Sequence, residues 1–302
     1  MFGAPDLALR RGAAWLPPAA GYALTRALTP RLDRGRESNA RAIVERNALR
    51  LLGDAASSLC AAQGFVDALA CDDLDALTAT LWPRRLRLAT TRVEGLEALP
   101  AGGPAVVASF HLSGGFRVFD VLNAAGRRPT FLWAEDHAPN LSIYGNALRA
   151  ARRRHLELVL ARRWIIPGPG ARDALAAHLD AAGTVVALLD VAPKQLGLRD
   201  TAAVPFFGRK VEFALGLMRL AAARDLPVVA YDGRLEGGRR VLRFHPPLRS
   251  ADPLELLAGI VARLEGVVRE RPWDWQGWLD LDPLIGTTPE LSVEQESQIA
   301  LP

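Results

Sequence analysis

The chain has only two cysteines in 302 residues, Cys60 and Cys71, which is too few for a disulfide framework. Eleven residues apart in a stretch of helical periodicity, they read as reduced core thiols of a reducing compartment. With no second cysteine pair and no histidine cluster at ligand spacing, a structural zinc site is not expected. Lysine is equally scarce: Lys194 and Lys210 are the only two, so nearly all positive charge is arginine. Arginine grips phosphate or carboxylate in a fork where lysine is a flexible point charge, so this usage is open to anionic ligands, and equally to a GC-rich coding sequence. The net charge of +4 is too small to make nucleic acid the default partner. No run of eighteen apolar residues occurs, so a spanning helix is not expected. A charged and then apolar leader with a cleavage site is missing too. Periodic glycine, internal repeats and low-complexity tracts are absent, which excludes a collagen-like rod or a repeat array.

What is present is 50% hydrophobic and 23% charged, a balance that excludes a disordered chain and allows a sizeable core. Residues 1–82 read as a helical N-terminal segment, possible to place against a membrane, 83–285 as an α/β domain, and 286–302 as a loose tail. Residues 1–30 carry Trp15 and Tyr22 among Arg10, Arg11 and Arg26, and Pro17 and Pro18 split them. That composition fits an interfacial anchor and equally a helix packed on the domain. Beyond it, Val44, Ala48, Leu51, Leu52, Ala55 and Leu59, then Phe65, Val66 and Leu69, recur at helical spacing. Asp72, Asp73 and Asp75 fall near the expected start of a further short helix, where acids suit the dipole. Apolar strands are then expected at 86–94, 105–110, 129–133, 164–166, 184–189, 227–231 and 241–244. Helices are expected at 117–125, 142–156, 171–182, 213–223 and 253–270. This alternation predicts an α/β fold with a mostly parallel central sheet and helices on both faces.

In such sheets, sites cluster where strands end and helices begin. The junction at 109–120 reads Ser-Phe-His-Leu-Ser-Gly-Gly-Phe-Arg-Val-Phe-Asp. His111 follows the apolar run, Ser113 can cap the next helix, and Gly114 and Gly115 let a ligand approach its first turn. A neutral imidazole there could take a proton from a hydroxyl or amine, and free N–H groups of the helix start could hold an oxyanion. Read alone, His111 is better taken as a histidine that satisfies a strand-end backbone group.

Further along come Asp190, closing Val-Val-Ala-Leu-Leu-Asp, and Val-Pro-Phe-Phe-Gly-Arg at 204–209. In this order and spacing the chain resembles the bacterial lipid A late acyltransferases, members of the wider lysophospholipid acyltransferase-like superfamily. The resemblance runs from Arg-Ala-Ile-Val-Glu-Arg-Asn at 41–47 to Pro247, and the segment Pro-Trp-Asp-Trp-Gln-Gly-Trp at 272–278 is similar to that family's Trp-bearing end. It implies transfer of an acyl chain from an acyl carrier protein or coenzyme A thioester to a hydroxyl or amine of a lipid-like acceptor. It further implies a site at the cytoplasmic face of the inner membrane, peripheral contact with it, and no metal or redox cofactor.

The family signature is a histidine followed, after four residues, by Asp or Glu, and here that acid is replaced by Phe116. Asp120 lies about 6 Å farther along the helix axis and reaches His111 only from an irregular helix start. Asp190 is the other candidate partner, though a helix cap or a solvated loop residue is the reading its local sequence favours. The resemblance sets Arg209 and the 204–209 loop beside the groove, with Phe206 and Phe207 either core or chain-binding wall. Arg149, Arg152, Arg153, Arg154, Arg162 and Arg163, opposed only by Glu157, suit a phosphate or an acidic carrier, or a solvated helix face. Glu135-Asp136-His137 reads as loop chemistry, and His155, His178 and His245 as structural or surface residues. With Phe116 in the acid's place, a second reading stands: an inactive acyl-chain or lipid-binding protein, or a carrier-docking partner subunit of a lipid or polyketide-type pathway.

Overall fold

The structure, a computed structural model, describes residues 11–32, 34–133, 143–161 and 163–286. Arg10, Arg162, the Glu135-Asp136-His137 motif and the expected tail beyond residue 286 lie outside the described residues. Three helices open the chain: α1 (Pro18–Leu32), α2 (Arg34–Leu52) and α3 (Ala55–Leu81). The side chain of Asp54 caps α3 by accepting from the Ser57 N–H at 2.7 Å. The short α4 (Arg84–Ala89) leads into β1 (Thr91–Glu94) and β2 (Ala105–Ser109). There follow α5 (Val118–Ala124), β3 (Pro129–Leu132), α6 (Ile143–Leu160), β4 (Trp164–Ile165), α7 (Ala171–Asp180) and β5 (Thr184–Leu188). A hairpin, β6 (Thr201–Phe206) with β7 (Arg209–Ala214), precedes α8 (Gly216–Ala223), β8 (Val228–Glu236), β9 (Arg239–Phe244), α9 (Pro253–Glu270) and α10 (Leu281–Ile285).

Seven strands form one sheet in the order β1-β9-β8-β2-β5-β3-β4, parallel throughout except for the β8–β9 pair. The expected mostly parallel α/β sheet is therefore present. Alternation along its central strands feeds two apolar layers. Val106 and Ala108 face α2, α3, α8 and α9, while Ala105 and Val107 face α5 and α6. Each buried valine contributes roughly 1.5–3 kcal/mol. Among the described residues no helix is long and apolar enough to cross a membrane.

Several expectations are corrected. Residues 84–89 form α4 where a strand over 86–94 was expected. Leu86 is exposed there and the buried residue is Arg87. Asp72, Asp73 and Asp75 do not open a helix; they lie within the C-terminal half of α3 and are held by arginines. The hairpin was missed, and residues 213–215 belong to it and its exit rather than to α8. Its two-residue turn, Phe207-Gly208, has both φ values positive (+50° and +73°), the backbone of a primed turn that Asn-Gly would have announced and Phe-Gly does not. Cys71 is buried, but Cys60 is exposed. In α1, Tyr22 is buried against α3 and its hydroxyl donates to Asp75 at 2.6 Å, so this helix belongs to the domain's packing. Trp15, just ahead of it, is 75% exposed.

Candidate active site

Strand register builds the central pair. β2 and β5 are parallel neighbours with Ser109 opposite Leu188, so the residues two beyond each strand end, His111 and Asp190, emerge side by side. Asp190 Oδ1 lies 2.8 Å from His111 Nδ1, and its Oδ2 accepts from the His111 backbone N–H at 2.8 Å. The same oxygen accepts from the Trp275 indole N–H at 2.7 Å. With both oxygens engaged, Asp190 is locked in orientation. The carboxylate fixes the His111 tautomer with hydrogen on Nδ1, leaving Nε2 without a partner among the described residues. Burial alone would lower the His111 pKa, but the Asp190 charge and hydrogen bond outweigh it and raise it above the ordinary histidine value. Asp190 moves the opposite way: burial would raise it, and His111 with Trp275 pulls it below the ordinary carboxylate range.

The loop is clamped from behind. Ser113 N–H donates to the Asp274 carbonyl at 2.9 Å and Gln276 N–H to the His111 carbonyl at 2.8 Å, so the C-terminal Trp segment runs antiparallel to it. Trp275 in turn packs on Phe206, Phe110 and Trp278. Gly114 has a left-handed φ of +71°, and a Cβ on it would meet the Arg240 side chain at 3.0 Å.

In front of His111 opens a groove. Its apolar lining includes Leu112, Phe116, Phe119, Phe131, Leu188 and Tyr231, and its polar lining sets the carboxylates Asp72 and Asp75 beside Arg117, Arg152, His155 and Gln276. Phe116 packs tilted against Phe119 and edge-on against Phe131, at centroid distances of 6.3 and 6.0 Å, so it is a wall of the groove.

Other candidates fall elsewhere. Asp120 is turned away from His111 into a buried clamp, accepting from Arg87 Nε at 2.8 Å and Nη2 at 2.6 Å. Burial would raise its pKa, but Arg87 and His155 hold it well below the ordinary range. It is structural. The backbone donors expected at the helix start are spent: Gly114 N–H donates to Asp72 at 2.8 Å and Gly115 N–H to the Leu112 carbonyl at 3.1 Å. Ser113 caps no helix; its hydroxyl donates to Asp72 and accepts from Arg240. Phe206 and Phe207 are buried at the hairpin turn, Phe207 with the Arg269 guanidinium 4.4 Å from its ring centre, and neither lines the groove. Arg209 is exposed and donates to the Arg50 carbonyl, also away from the groove lining. Arg149 is half-buried. Arg152 lies at the groove and contacts Asp73 at 3.4 Å, and Arg153 pairs with Glu157 at 3.5 Å.

Sequence reasoning missed Trp275, Gln276, Arg117, Arg240 and the polar role of Asp72 and Asp75. It also set His155 aside as structural or surface, whereas it is buried and lines the groove. The one available signal was the Asp-Asp-x-Asp cluster at 72–75 inside an otherwise apolar helix, since buried acids need partners. No family model matches the chain, and no curated protein matches it.

Proposed function

We propose that the chain is an acyltransferase that moves an acyl group from a carrier protein or coenzyme A thioester to a hydroxyl or amine of a lipid-like acceptor. The observation that carries this reading is the His111–Asp190 pair at the mouth of an aromatic-walled groove, with Nε2 unspent. The imidazole takes the acceptor's proton at Nε2 as its oxygen or nitrogen attacks the thioester carbonyl carbon. The C–S bond then breaks, and the thiolate leaves with the proton returned from the imidazolium. Asp190 stabilises the imidazolium and keeps it oriented. The acid supplied from β5 replaces the one that Phe116 displaces from the family signature, and Phe116 adds apolar wall for an acyl chain. The resemblance to the lipid A late acyltransferases supports the same chemistry. It also supports a place at the cytoplasmic face of the inner membrane, and exposed Trp15 with Arg11 suits contact with a bilayer surface. Exposed Arg153 and Arg154 suit an acidic carrier.

Phe116 also favours a second reading, a non-catalytic acyl-chain binder. The two part on one experiment: candidate acceptors are incubated with carrier-bound and coenzyme A thioesters and read by intact mass. Acylated product that disappears in His111→Ala establishes the enzyme, whereas chain binding without any turnover leaves the binder.

A further inference from the structure

Close beside His111 the groove offers a hydrogen-bond acceptor that the proton transfer does not use. Gln276 is half-buried, lines the groove, and has its own backbone N–H fixed on the His111 carbonyl at 2.8 Å. Its side-chain Nε2 donates to Asp72 Oδ2 at 2.7 Å. The other oxygen of Asp72 takes the Ser113 hydroxyl, the Gly114 N–H and Arg240 Nη2 at 3.0, 2.8 and 2.8 Å, so this carboxylate is held in place. A carboxylate only accepts, so the Gln276 amide faces it with nitrogen. Turned over, the amide would set two oxygens against each other. Oε1 is therefore the end left over. It has no donor among the described residues, yet it is not sealed off as the unmatched nitrogens of Arg117 are. The negative charge behind Nε2 polarises the amide and makes Oε1 a stronger acceptor.

We propose that Gln276 selects a primary amine as the acceptor, its Oε1 holding the hydrogen that His111 does not take. This rests on the acyl-transfer reading and narrows it. A primary amine brings two hydrogens and one lone pair. The lone pair forms the C–N bond to the thioester carbonyl carbon, and one proton passes to His111 Nε2. The C–S bond breaks, and that proton goes to the leaving thiolate. The second hydrogen stays on the nitrogen of the amide product, and Oε1 accepts it throughout. A hydroxyl brings one hydrogen and two lone pairs. With its proton committed to Nε2, the lone pair not used in attack meets Oε1, and two acceptors repel. A site built to bond an N–H discriminates against a nucleophile that lacks it. Gln276 touches the nucleophile in this role but moves no proton.

The test uses the full chain, with decanoyl thioesters of coenzyme A and of acyl carrier protein as donors. The acceptors are para-octylaniline, its N-methyl derivative and para-octylphenol, all uncharged near neutral pH. They share one apolar body, and only the first carries a second hydrogen on the nucleophile. Gln276→Met keeps the side chain's length and removes the amide. It is expected to lower kcat/KM for para-octylaniline by about threefold to tenfold, the worth of one hydrogen bond, and to leave the other two unchanged. An equal loss with all three makes Gln276 a mere support of the His111 loop and overturns the proposal. No loss with any, or a loss confined to the phenol, overturns it as well. Where Gln276→Met does not fold, Gln276→Asn, which keeps an amide but draws its oxygen back by one methylene, is expected to give the same selective loss. Calorimetric binding of the same three compounds separates this proposal from the reading beneath it. Absence of transfer to every acceptor in the wild-type chain sinks the acyltransferase. Weaker binding of para-octylaniline alone in the Gln276 variant then still upholds the Oε1 contact, and unchanged binding overturns it.

Discussion

Asp190 gives each of its oxygens a separate task, one for the ring of His111 and one shared by the His111 backbone and Trp275. Asp190→Asn keeps an oxygen for these donors but removes the charge that stabilises an imidazolium. The expected result is a folded protein whose kcat falls by about 10²–10⁴. The pH profile checks the cause. Because the His111 pKa is raised, its neutral, proton-accepting form is populated only above the ordinary histidine value, and the ascending limb of kcat/KM lies there. In Asp190→Asn the raising influence is gone and burial remains, so the limb shifts to lower pH; an unmoved limb would assign it to another group. Stability follows linkage with opposite signs for the two partners. The lowered Asp190 contributes stability above its unfolded value that is lost as pH falls. The raised His111 contributes stability below its unfolded value that is lost as pH rises through its folded one.

The short helix α4 shows how an element can exist for one ion pair. It buries Arg87, which holds Asp120 of α5 through two bonds and the carbonyls of Ala79 and Trp82 at 2.9 and 2.5 Å. That clamp joins the end of α3 to the helix that follows the His111 loop. Arg87→Met leaves the Asp120 carboxylate buried without its two-bond partner, at an expected cost of about 3–5 kcal/mol. Urea denaturation measures this. Adding Asp120→Leu is expected to recover much of the loss, since no lone charge then remains. An additive double variant would show that the pair is not coupled. The hairpin works similarly at longer range: Phe206 supports Trp275, which holds Asp190, so an element outside the groove still positions its acid.

The groove opens at His111, while Trp15 projects from the N-terminal helices beside Trp82, whose indole N–H donates to the Ala14 carbonyl at 2.8 Å. Arg11, Arg84 and Arg85 are exposed in the same segments. An aromatic ring among arginines suits an anionic bilayer surface. Removing residues 1–30 is a poor probe of this, because it also removes Tyr22 from its bond to buried Asp75. Trp15→Ala is the cleaner variant. It is expected to cut association with vesicles containing anionic lipid severalfold and to shift stability by no more than about 0.5 kcal/mol, as for exposed residues generally. Unchanged vesicle flotation would remove Trp15 from any membrane role.

Local sequence determined the alternation of apolar strands and amphipathic helices, and with it the parallel sheet, because burial on both faces writes itself as short valine-rich runs such as 105–109 and 184–188. It also placed His111 at a strand end, since that position depends only on where the run stops. It could not see Arg87 as a buried residue or Phe207-Gly208 as a hairpin turn, because in both cases tertiary contacts override the local preference. Nor could it choose between Asp120 and Asp190. Helical spacing favours neither, and the answer lies in which strands are neighbours: β2 beside β5 brings together two residues 79 positions apart. The same holds for Asp75, whose carboxylate gathers the donors of Tyr22, Arg117 and Arg240 from three separate elements. Side-chain periodicity is a local property, whereas hydrogen-bond saturation is settled only after every element has been packed.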